Sequence, residues 1–317
     1  MSKIVFLQKL NEQQQQKLRE AAPHDEIVAI PVKEASSQDL ADAEIIVGWS
    51  RKFQDFILSD DCPVKWVQAW SAGVDKMPLD KLEHKQVLLT SANGVHTIPI
   101  SEHIFAYMLS FARNLHTAIR NQSRNQWDES GTFSELHGKT IAIAGAGNIG
   151  KGTANLARAF GMKVIGIRRS GEPLDEFDMM YDMDRLDDAL ANADFVVNIL
   201  PLTDDTRELF NRERFERMKD SAVFINVGRG PTVNTDDLTA ALQEGIIAGA
   251  GLDVFDPEPL PEDHPLWQLE QVIITPHIAG SNEYYTDRVL EIFLANLNAY
   301  HKGESLPVNL VDYEHGY

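Results

Sequence analysis

Short apolar segments alternate with longer amphipathic segments along most of the chain. In the first third, each apolar run has the length and composition of a buried strand, and helical periodicity follows several of them. The runs are Ile4–Leu7, Ile27–Ile30, Ile45–Trp49, Val64–Ala69 and Val87–Thr90. Strands that alternate with helices predict a parallel sheet that is covered on both faces.

A long apolar-periodic segment, Ile100–Ile119, predicts a helix that leads into a second unit. The polar stretch 121–138 follows, and we expect Trp127 to pack it against the rest of the protein. Apolar runs then recur at Thr140–Ala144, Lys163–Ile167, Phe195–Leu200, Ala222–Val227, Ala248–Val254 and Val272–Thr275. About six strands in a strand–helix repeat predict a doubly wound dinucleotide-binding domain.

The last amphipathic segment, 282–301, predicts a helix that is long enough to return to the first domain. We therefore predict a discontinuous first domain of residues 1–100 and 285–317. A dinucleotide-binding domain of residues 101–284 is inserted into it. Two crossings between domains predict a hinge and a cleft. The predicted fold class is α/β, with two Rossmann-like domains, doubly wound parallel sheets and a cleft between them.

Charge and cysteine content narrow the functional classes. The formal net charge is -19, which argues against binding to nucleic acid or to an anionic membrane, because both need a basic surface. A single cysteine, Cys62, excludes an intramolecular disulfide and fits a reducing compartment. The apolar part of the N-terminus is too short for a signal peptide, so we expect a soluble cytoplasmic protein. No Cys/His group has the spacing of a zinc site, so we predict no metal.

A glycine-rich turn follows the strand that begins at Thr140. Gly145 permits a tight turn, Gly147 lets the backbone approach a pyrophosphate, and Gly150 lets the helix pack close to the strand. Asn148 and Ile149 open that helix, whose free N–H groups favour phosphate. An ordinary strand-to-helix turn is the alternative.

Two arginines follow the next strand. A site for NAD usually has Asp or Glu about 20 residues past the glycines, where it binds the ribose 2′-hydroxyl. This chain has Arg168 and Arg169 there instead. Two cations suit a 2′-phosphate, so the sequence favours NADP(H) and leaves NAD(H) open, since one arginine could stack on adenine. Alternatively, both arginines solvate a loop.

Arg229 stands between Gly228 and Gly230, directly after an apolar strand. A planar guanidinium at a strand end can grip a carboxylate with two parallel hydrogen bonds. We therefore predict that Arg229 binds an anion, with an exposed loop arginine as the alternative.

Glu258 and His277 follow the last two strands of the second unit. A carboxylate beside a histidine orients the imidazole and stabilises its protonated form, so the two are candidates for an acid–base pair. A structural histidine is the alternative. Asp253 lies nearby and either contacts a nicotinamide or caps a loop.

In the first domain, Ser71, Ala72 and Gly73 follow the fourth strand and can present backbone N–H groups to a carboxylate. Trp49 follows the third strand and either lines the same cleft or packs in the core.

Several of these motifs occur in one fixed order along nearly the whole chain. They are Ser71-Ala72-Gly73-Val74-Asp75, Ser101-Glu102-His103, Gly145–Gly150, Leu200-Pro201-Leu202-Thr203, Asn226-Val227-Gly228-Arg229-Gly230, Leu252-Asp253-Val254-Phe255 and Thr275-Pro276-His277. The ordered set resembles the D-isomer-specific 2-hydroxyacid dehydrogenases. The resemblance implies a flavodoxin-like substrate domain, an inserted nucleotide domain and a homodimer joined through the nucleotide domains.

The resemblance also implies site residues. Arg229, Glu258 and His277 would be catalytic, and Trp49, Ser71, Ala72 and Gly73 would bind substrate together with Arg229 and His277. Further cofactor contacts are implied at Leu200, Pro201, Thr206, Val227, Gly228, Arg229, Asp253, His277 and Gly280.

The arginines after the second strand resemble the NADPH-dependent glyoxylate/hydroxypyruvate reductase branch. Related formate dehydrogenases carry glutamine where Glu258 stands, which argues against formate. The implied reaction is reduction of a small 2-oxo acid to the D-2-hydroxy acid by hydride from NAD(P)H, with His277 as the proton donor. The alternative is a nucleotide-sensing binding protein, against which the intact Arg229, Glu258 and His277 weigh.

Overall fold

The computed structural model describes residues 2–74 and 76–313. Met1, residues 314–317 and Asp75 of the predicted 71–75 motif lie outside the described residues. The chain divides into two compact units. The first consists of Met1–His96 and Asn282–Tyr317, and the second, called the nucleotide unit below, consists of Thr97–Ser281.

Strands and helices alternate, and every pairing between the named strands is parallel. The strands are β1 (Lys3–Phe6), β2 (Glu26–Ala29), β3 (Ile45–Val47), β4 (Trp66–Gln68), β5 (Leu88–Thr90), β6 (Thr140–Ala144), β7 (Lys163–Ile167), β8 (Met179–Tyr181), β9 (Phe195–Asn198), β10 (Val223–Asn226), β11 (Gly249–Leu252) and β12 (Val272–Ile274). The helices are α1 (Glu12–Ala21), α2 (Ser37–Leu40), α3 (Gln54–Leu58), α4 (Leu79–His84), α5 (Thr97–Ala112), α6 (Leu115–Ser123), α7 (Asn148–Ala159), α8 (Leu186–Asn192), α9 (Arg212–Arg217), α10 (Thr235–Gln243) and α11 (Tyr285–Lys302). Short 3-10 turns lie at Arg51–Phe53, Met183–Arg185, Gly230–Thr232 and Pro265–Gln268.

The sheet of the first unit has the strand order β2-β1-β3-β4-β5, which is the flavodoxin-like order. Helix α11 covers one face of this sheet, because its apolar positions Leu290, Phe293 and Leu297 pack against inward side chains of the strands. The ring of Phe293 stacks on that of Trp66, with centroids 5.1 Å apart. The unit is therefore held together by residues from both ends of the chain.

The sheet of the nucleotide unit has the order β12-β11-β10-β9-β6-β7-β8. The strand order reverses between β6 and β9, which is the position where doubly wound sheets bind ligands. Apolar clusters lie on both faces of the sheet. The predicted α/β class with doubly wound parallel sheets is confirmed. Strand β8 was not predicted, because its run of three residues is too short to stand out from the neighbouring loops.

The segment predicted as one helix, Ile100–Ile119, forms two helices instead. Helix α5 ends at Ala112, and the chain turns at Asn114, whose φ of 54° is left-handed. Asn adopts that conformation more readily than most residues, so it permits the break between α5 and α6. The predicted domain boundary after residue 100 falls inside α5. The whole helix belongs to the nucleotide unit, where it packs against α7.

The prediction that Trp127 anchors the polar stretch 121–138 is wrong. Its side chain is 91% exposed, and its indole N–H donates to the neighbouring Glu129. The residues around Trp127 are mostly polar and exposed, so the indole ring has little apolar surface near it to pack against. In the described part of the chain, no helix has the length and apolar character needed to span a membrane.

Candidate active site

The predicted cofactor and catalytic residues of the nucleotide unit follow the ends of β6, β7, β9, β10, β11 and β12. Because these strands are parallel, their carboxyl ends lie along one edge of the sheet. Residues that are far apart in sequence therefore meet along this edge.

The glycine-rich turn joins β6 to α7. Gly145 has a φ of +110°, a backbone conformation that residues with a side chain rarely adopt. A Cβ on Gly150 would lie 2.3 Å from the carbonyl oxygen of Gly145, so the helix can start this close to the strand only with glycine. Gly147 caps α7, and apart from its own atoms and those of its two chain neighbours, no atom of the described residues lies within 4 Å of its Cβ position. Asn148 and Ile149 form the first turn of α7.

Arg168 and Arg169 follow β7, as predicted. Arg168 is half-buried and lies 4.0 Å from the carboxylate of Glu172, whereas Arg169 is exposed. An ion pair at that distance to an exposed carboxylate is weak, so it leaves the guanidinium available to a ligand. Ser170, which was not predicted as a site residue, adds a hydroxyl to the same turn and contacts Glu172. Its position directly after two arginines in the sequence could have indicated that it belongs to the same site.

Close backbone contacts explain the two glycines that flank Arg229. A Cβ on Gly228 would lie 2.8 Å from the carbonyl oxygen of Leu200, and one on Gly230 would lie 1.8 Å from that of Phe255. The turn after β10 is thus wedged between the loops that follow β9 and β11. The exposed Arg229 side chain donates from Nη1 to the Gly228 carbonyl at 2.8 Å, and a guanidinium has five N–H donors in all.

A buried amide network fixes the ends of β9 and β10, and sequence reasoning missed it. Asn198 Nδ2 donates to Asn226 Oδ1 at 3.1 Å and to Thr232 Oγ1 at 2.7 Å. Thr232 in turn donates to the Arg229 carbonyl at 2.6 Å. In the sequence, Asn198 and Asn226 each end an apolar strand. A buried side-chain amide must be hydrogen-bonded, so these two asparagines could have indicated the network.

The remaining predicted cofactor contacts are spread along the same edge. Leu200 and Val227 are buried. Thr206 donates to the Pro201 carbonyl at 2.6 Å and stabilises the loop after β9. Gly280 lies in the loop after β12.

Glu258 and His277, which are 19 residues apart in sequence, are in contact. His277 Nδ1 lies 2.9 Å from Glu258 Oε2, and Glu258 Oε1 accepts the N–H of Phe255 at 2.9 Å. The carboxylate is thus fixed at one oxygen and faces the imidazole with the other. The His277 side chain is 56% exposed, so its outer edge is accessible to a reactant. His277 has a φ of 55°, a left-handed conformation that is costly for a histidine.

Asp253 lies beneath this pair and is 2% exposed. Its carboxylate accepts the backbone N–H groups of Ile278 and Ala279 at 2.9 and 3.0 Å. Its predicted contact with a nicotinamide stays a prediction. Among the described residues, no group of three or more His, Cys, Asp or Glu side chains could hold a metal ion.

The predicted substrate residues of the first unit follow β3 and β4. Trp49 is partly buried against the apolar core of that unit, and its Nε1 has no hydrogen-bond partner among the described residues. Ser71 is exposed and donates to the carbonyl of Gly73 at 2.7 Å, and Ala72 is half-buried. The proposed roles in substrate binding stay predictions for all four residues, Trp49, Ser71, Ala72 and Gly73.

The chain is similar in sequence to one family of enzymes. Residues 105–279 match the model of the D-isomer specific 2-hydroxyacid dehydrogenase, NAD binding domain. The chain is 37% identical over 256 residues to glyoxylate/hydroxypyruvate reductase B of Escherichia fergusonii, which covers 78% of each chain.

Two solved structures cover almost the full chain. Phosphoglycerate dehydrogenase from Lactobacillus plantarum is 39% identical, with a TM-score of 0.60, over 98% of this chain and 100% of that one. An NADPH-dependent glyoxylate/hydroxypyruvate reductase from Sinorhizobium meliloti, in complex with NADP and sulfate, is 28% identical, with a TM-score of 0.80, over 100% of both chains.

These matches confirm the resemblance that the ordered motifs indicated, including the similarity to the glyoxylate/hydroxypyruvate reductases. They also confirm that the nucleotide unit is of the kind that binds a nicotinamide dinucleotide. The family model spans more than half of the chain, so this chain belongs to the D-isomer-specific 2-hydroxyacid dehydrogenases.

Proposed function

We propose that this protein reduces a small 2-oxo acid to the D-2-hydroxy acid with NADPH. The observation that carries the proposal is the 2.9 Å contact between His277 Nδ1 and Glu258 Oε2. A histidine held by a carboxylate at one nitrogen is arranged to give up a proton from the other. The similarity to glyoxylate/hydroxypyruvate reductases supports the same reaction.

The roles follow from position and chemistry. Arg229 binds the carboxylate of the substrate and polarises its ketone, because its guanidinium is always charged and has donors to spare. His277 donates a proton to the alkoxide oxygen as it forms, and Glu258 stabilises the imidazolium before that transfer. The bound cofactor supplies the hydride.

The glycine turn fits a dinucleotide. Its strand–turn–helix geometry leaves the Gly147 Cβ position open, as the approach of a pyrophosphate requires. The N–H groups in the first turn of α7 then face the phosphates, where the helix dipole favours negative charge.

The residues after β7 support a preference for NADP(H) over NAD(H). Arg168 and Arg169 supply two positive charges, and Ser170 supplies a hydroxyl, in one turn. A ribose 2′-phosphate carries the complementary charge and acceptors. The Sinorhizobium meliloti relative is described as NADPH-dependent and binds NADP.

Replacing Arg168 with Asp is expected to reverse the cofactor preference. The substitution removes a cation and adds an anion that repels the 2′-phosphate and can accept a ribose hydroxyl. The ratio of kcat/KM for NADPH to that for NADH should fall on the order of tenfold or more, since one favourable charge contact is worth about 1.5–3 kcal/mol. Arg158→Asp, at the end of α7, is the matched control. An unchanged ratio in Arg168→Asp would contradict the assignment.

A substrate panel tests the reaction. NADPH oxidation is followed by absorbance with glyoxylate, hydroxypyruvate, pyruvate, 3-phosphohydroxypyruvate and bulkier 2-oxo acids. We expect the highest kcat/KM with glyoxylate or hydroxypyruvate, and chiral analysis of the longer products should give the D isomer. Tight binding of NADPH without turnover of any 2-oxo acid would instead favour the nucleotide-sensing alternative.

Exposed apolar side chains on the nucleotide unit support the implied homodimer. Four large apolar side chains within one stretch of the chain are 47–91% exposed, namely Leu115, Ile119, Trp127 and Phe133. Exposed apolar side chains that form a patch are typical of contact surfaces. We expect twice the chain mass in light scattering, and a monomeric mass across the working concentration range would contradict a homodimer. The cytoplasmic location stays a prediction.

A further inference from the structure

A left-handed turn carries His277 at the edge of the sheet. The turn is held from below by Asp253, whose two carboxylate oxygens accept the N–H groups of Ile278 and Ala279. The Asp253 carbonyl also accepts the N–H of His277 at 2.9 Å. One buried residue, Asp253, thus accepts three backbone N–H groups of the turn in which His277 has its costly conformation.

Asp253 is itself held by a chain of side-chain hydrogen bonds. Thr275 Oγ1 lies 2.5 Å from Asp253 Oδ1. The same Oγ1 contacts the hydroxyl of Tyr107, and it lies 3.0 Å from His103 Nε2. Both partners of Thr275 come from helix α5, so the network links that helix to the loops after β11 and β12.

The Thr275 hydroxyl has one hydrogen and three hydrogen-bond partners, so each bond in this network has one possible direction. Thr275 donates its single hydroxyl hydrogen to Asp253 Oδ1. The Thr275 oxygen must then accept from both neighbours. Tyr107 is therefore a donor, and His103 carries a hydrogen on Nε2. Both lone pairs of the hydroxyl are used, and the network has no surplus donor at Thr275.

The surroundings keep these groups in the required protonation states. Burial lowers the pKa of His103, although the nearby Asp253 opposes the shift, so the imidazole is neutral at neutral pH. Burial also raises the pKa of Tyr107, so the phenol keeps its hydrogen.

Two glycines in β11 let helix α5 pack close to the sheet, where Tyr107 reaches Thr275. A Cβ on Gly251 would lie 2.7 Å from the ring of Tyr107, and one on Gly249 would lie 2.9 Å from the ring of Phe111. The two aromatic residues are four apart on the helix, and the two glycines are two apart on the strand, so each ring lies over one glycine. His103 is one helical turn before Tyr107 on the same face.

We propose that His103, Tyr107 and Thr275 are positioning residues, which hold Asp253 and through it the turn that presents His277 to the substrate. The proposal rests on the proposed function, because it assigns the network to the proton donor of that reaction. Helix α5 would then affect proton transfer by His277, although no residue of α5 contacts the substrate in the proposed mechanism.

The test compares Thr275→Val with Thr275→Ser. Valine keeps the volume but removes the hydroxyl, so Asp253 loses a donor and two α5 donors lose their acceptor. We expect kcat to fall on the order of 10²-fold, because small misplacements of a reacting group have effects of this size. KM for NADPH should change little, and serine should restore most of kcat. Tyr107→Phe should give a smaller loss in the same direction.

Thr239→Val controls for a general loss of stability. Thr239 is buried and Thr275 is partly buried, and the Thr239 hydroxyl donates to a backbone carbonyl in α10, away from the His277 turn. We expect normal kcat for Thr239→Val, and the Tm of both valine variants shows how much stability each hydroxyl contributes. If Thr275→Val keeps wild-type kcat while His277→Ala loses it, the positioning proposal is wrong and the proposed function stands. If His277→Ala also keeps its kcat, the proposed function fails and this proposal fails with it.

Discussion

His277→Ala lowers kcat by about 10²–10⁴-fold, the usual contribution of a positioned general acid. The expectation follows from the contact of His277 with Glu258 and from the exposed outer edge of its imidazole. The affinity for NADPH, measured by fluorescence titration, should stay near that of the wild-type protein, because the glycine turn is intact. Glu258→Gln should lower kcat less, since an amide still accepts a hydrogen bond but does not stabilise the imidazolium.

His84→Ala is the matched control for this loss. His84 is exposed at the end of α4 in the first unit, so its removal should leave kcat and KM unchanged. A normal kcat for His277→Ala, with the substrate that the panel identifies, would rule out His277 as the proton donor.

The second large effect is expected at the glycine turn, where two substitutions should fail in different ways. In Gly150→Ala the new methyl group would lie 2.3 Å from a backbone oxygen, so the strand–helix contact must open, at a cost of about 1–3 kcal/mol of stability. In Gly147→Ala the methyl group enters open space, and the φ of -80° suits alanine. The folded state should therefore tolerate it, while the methyl group obstructs the pyrophosphate.

Thermal unfolding without cofactor and titration with NADPH separate the two outcomes. Gly150→Ala should have a lowered Tm in the absence of NADPH. Gly147→Ala should have a normal Tm alone but a smaller increase in Tm on addition of NADPH. Equal cofactor affinities in Gly147→Ala and the wild-type protein would contradict the assignment of this turn to the phosphates.

The pairing of Glu258 with His277 was predictable because it depends on topology. Both residues follow the last strands of a parallel repeat, and the ends of such strands share one edge. The position of Arg229 was predictable for the same reason. Short periodic runs and turn residues were enough to place these side chains, since strand order in a doubly wound sheet has few alternatives.

The network beneath His277 was not predictable. It depends on which face of α5 packs over β11, and apolar periodicity does not say which polar residue of that face meets a given loop. His103 therefore counted only as one of several histidines near a helix. Trp127 was misplaced because a large apolar side chain is usually buried, and the pattern within one chain does not reveal which apolar residues stay exposed.

The interrupted first unit has a consequence for how the protein is made. Domains generally fold as units, N-terminal first, while the chain is synthesised. Here β1–β5 emerge first, but Leu290, Phe293 and Leu297, which cover Trp66 and its neighbours, emerge only after the whole of Thr97–Ser281. We therefore expect the nucleotide unit to reach its folded state on the ribosome while the earlier strands still lack one side of their core. The strands β1–β5, although translated before the nucleotide unit, would complete their fold after it.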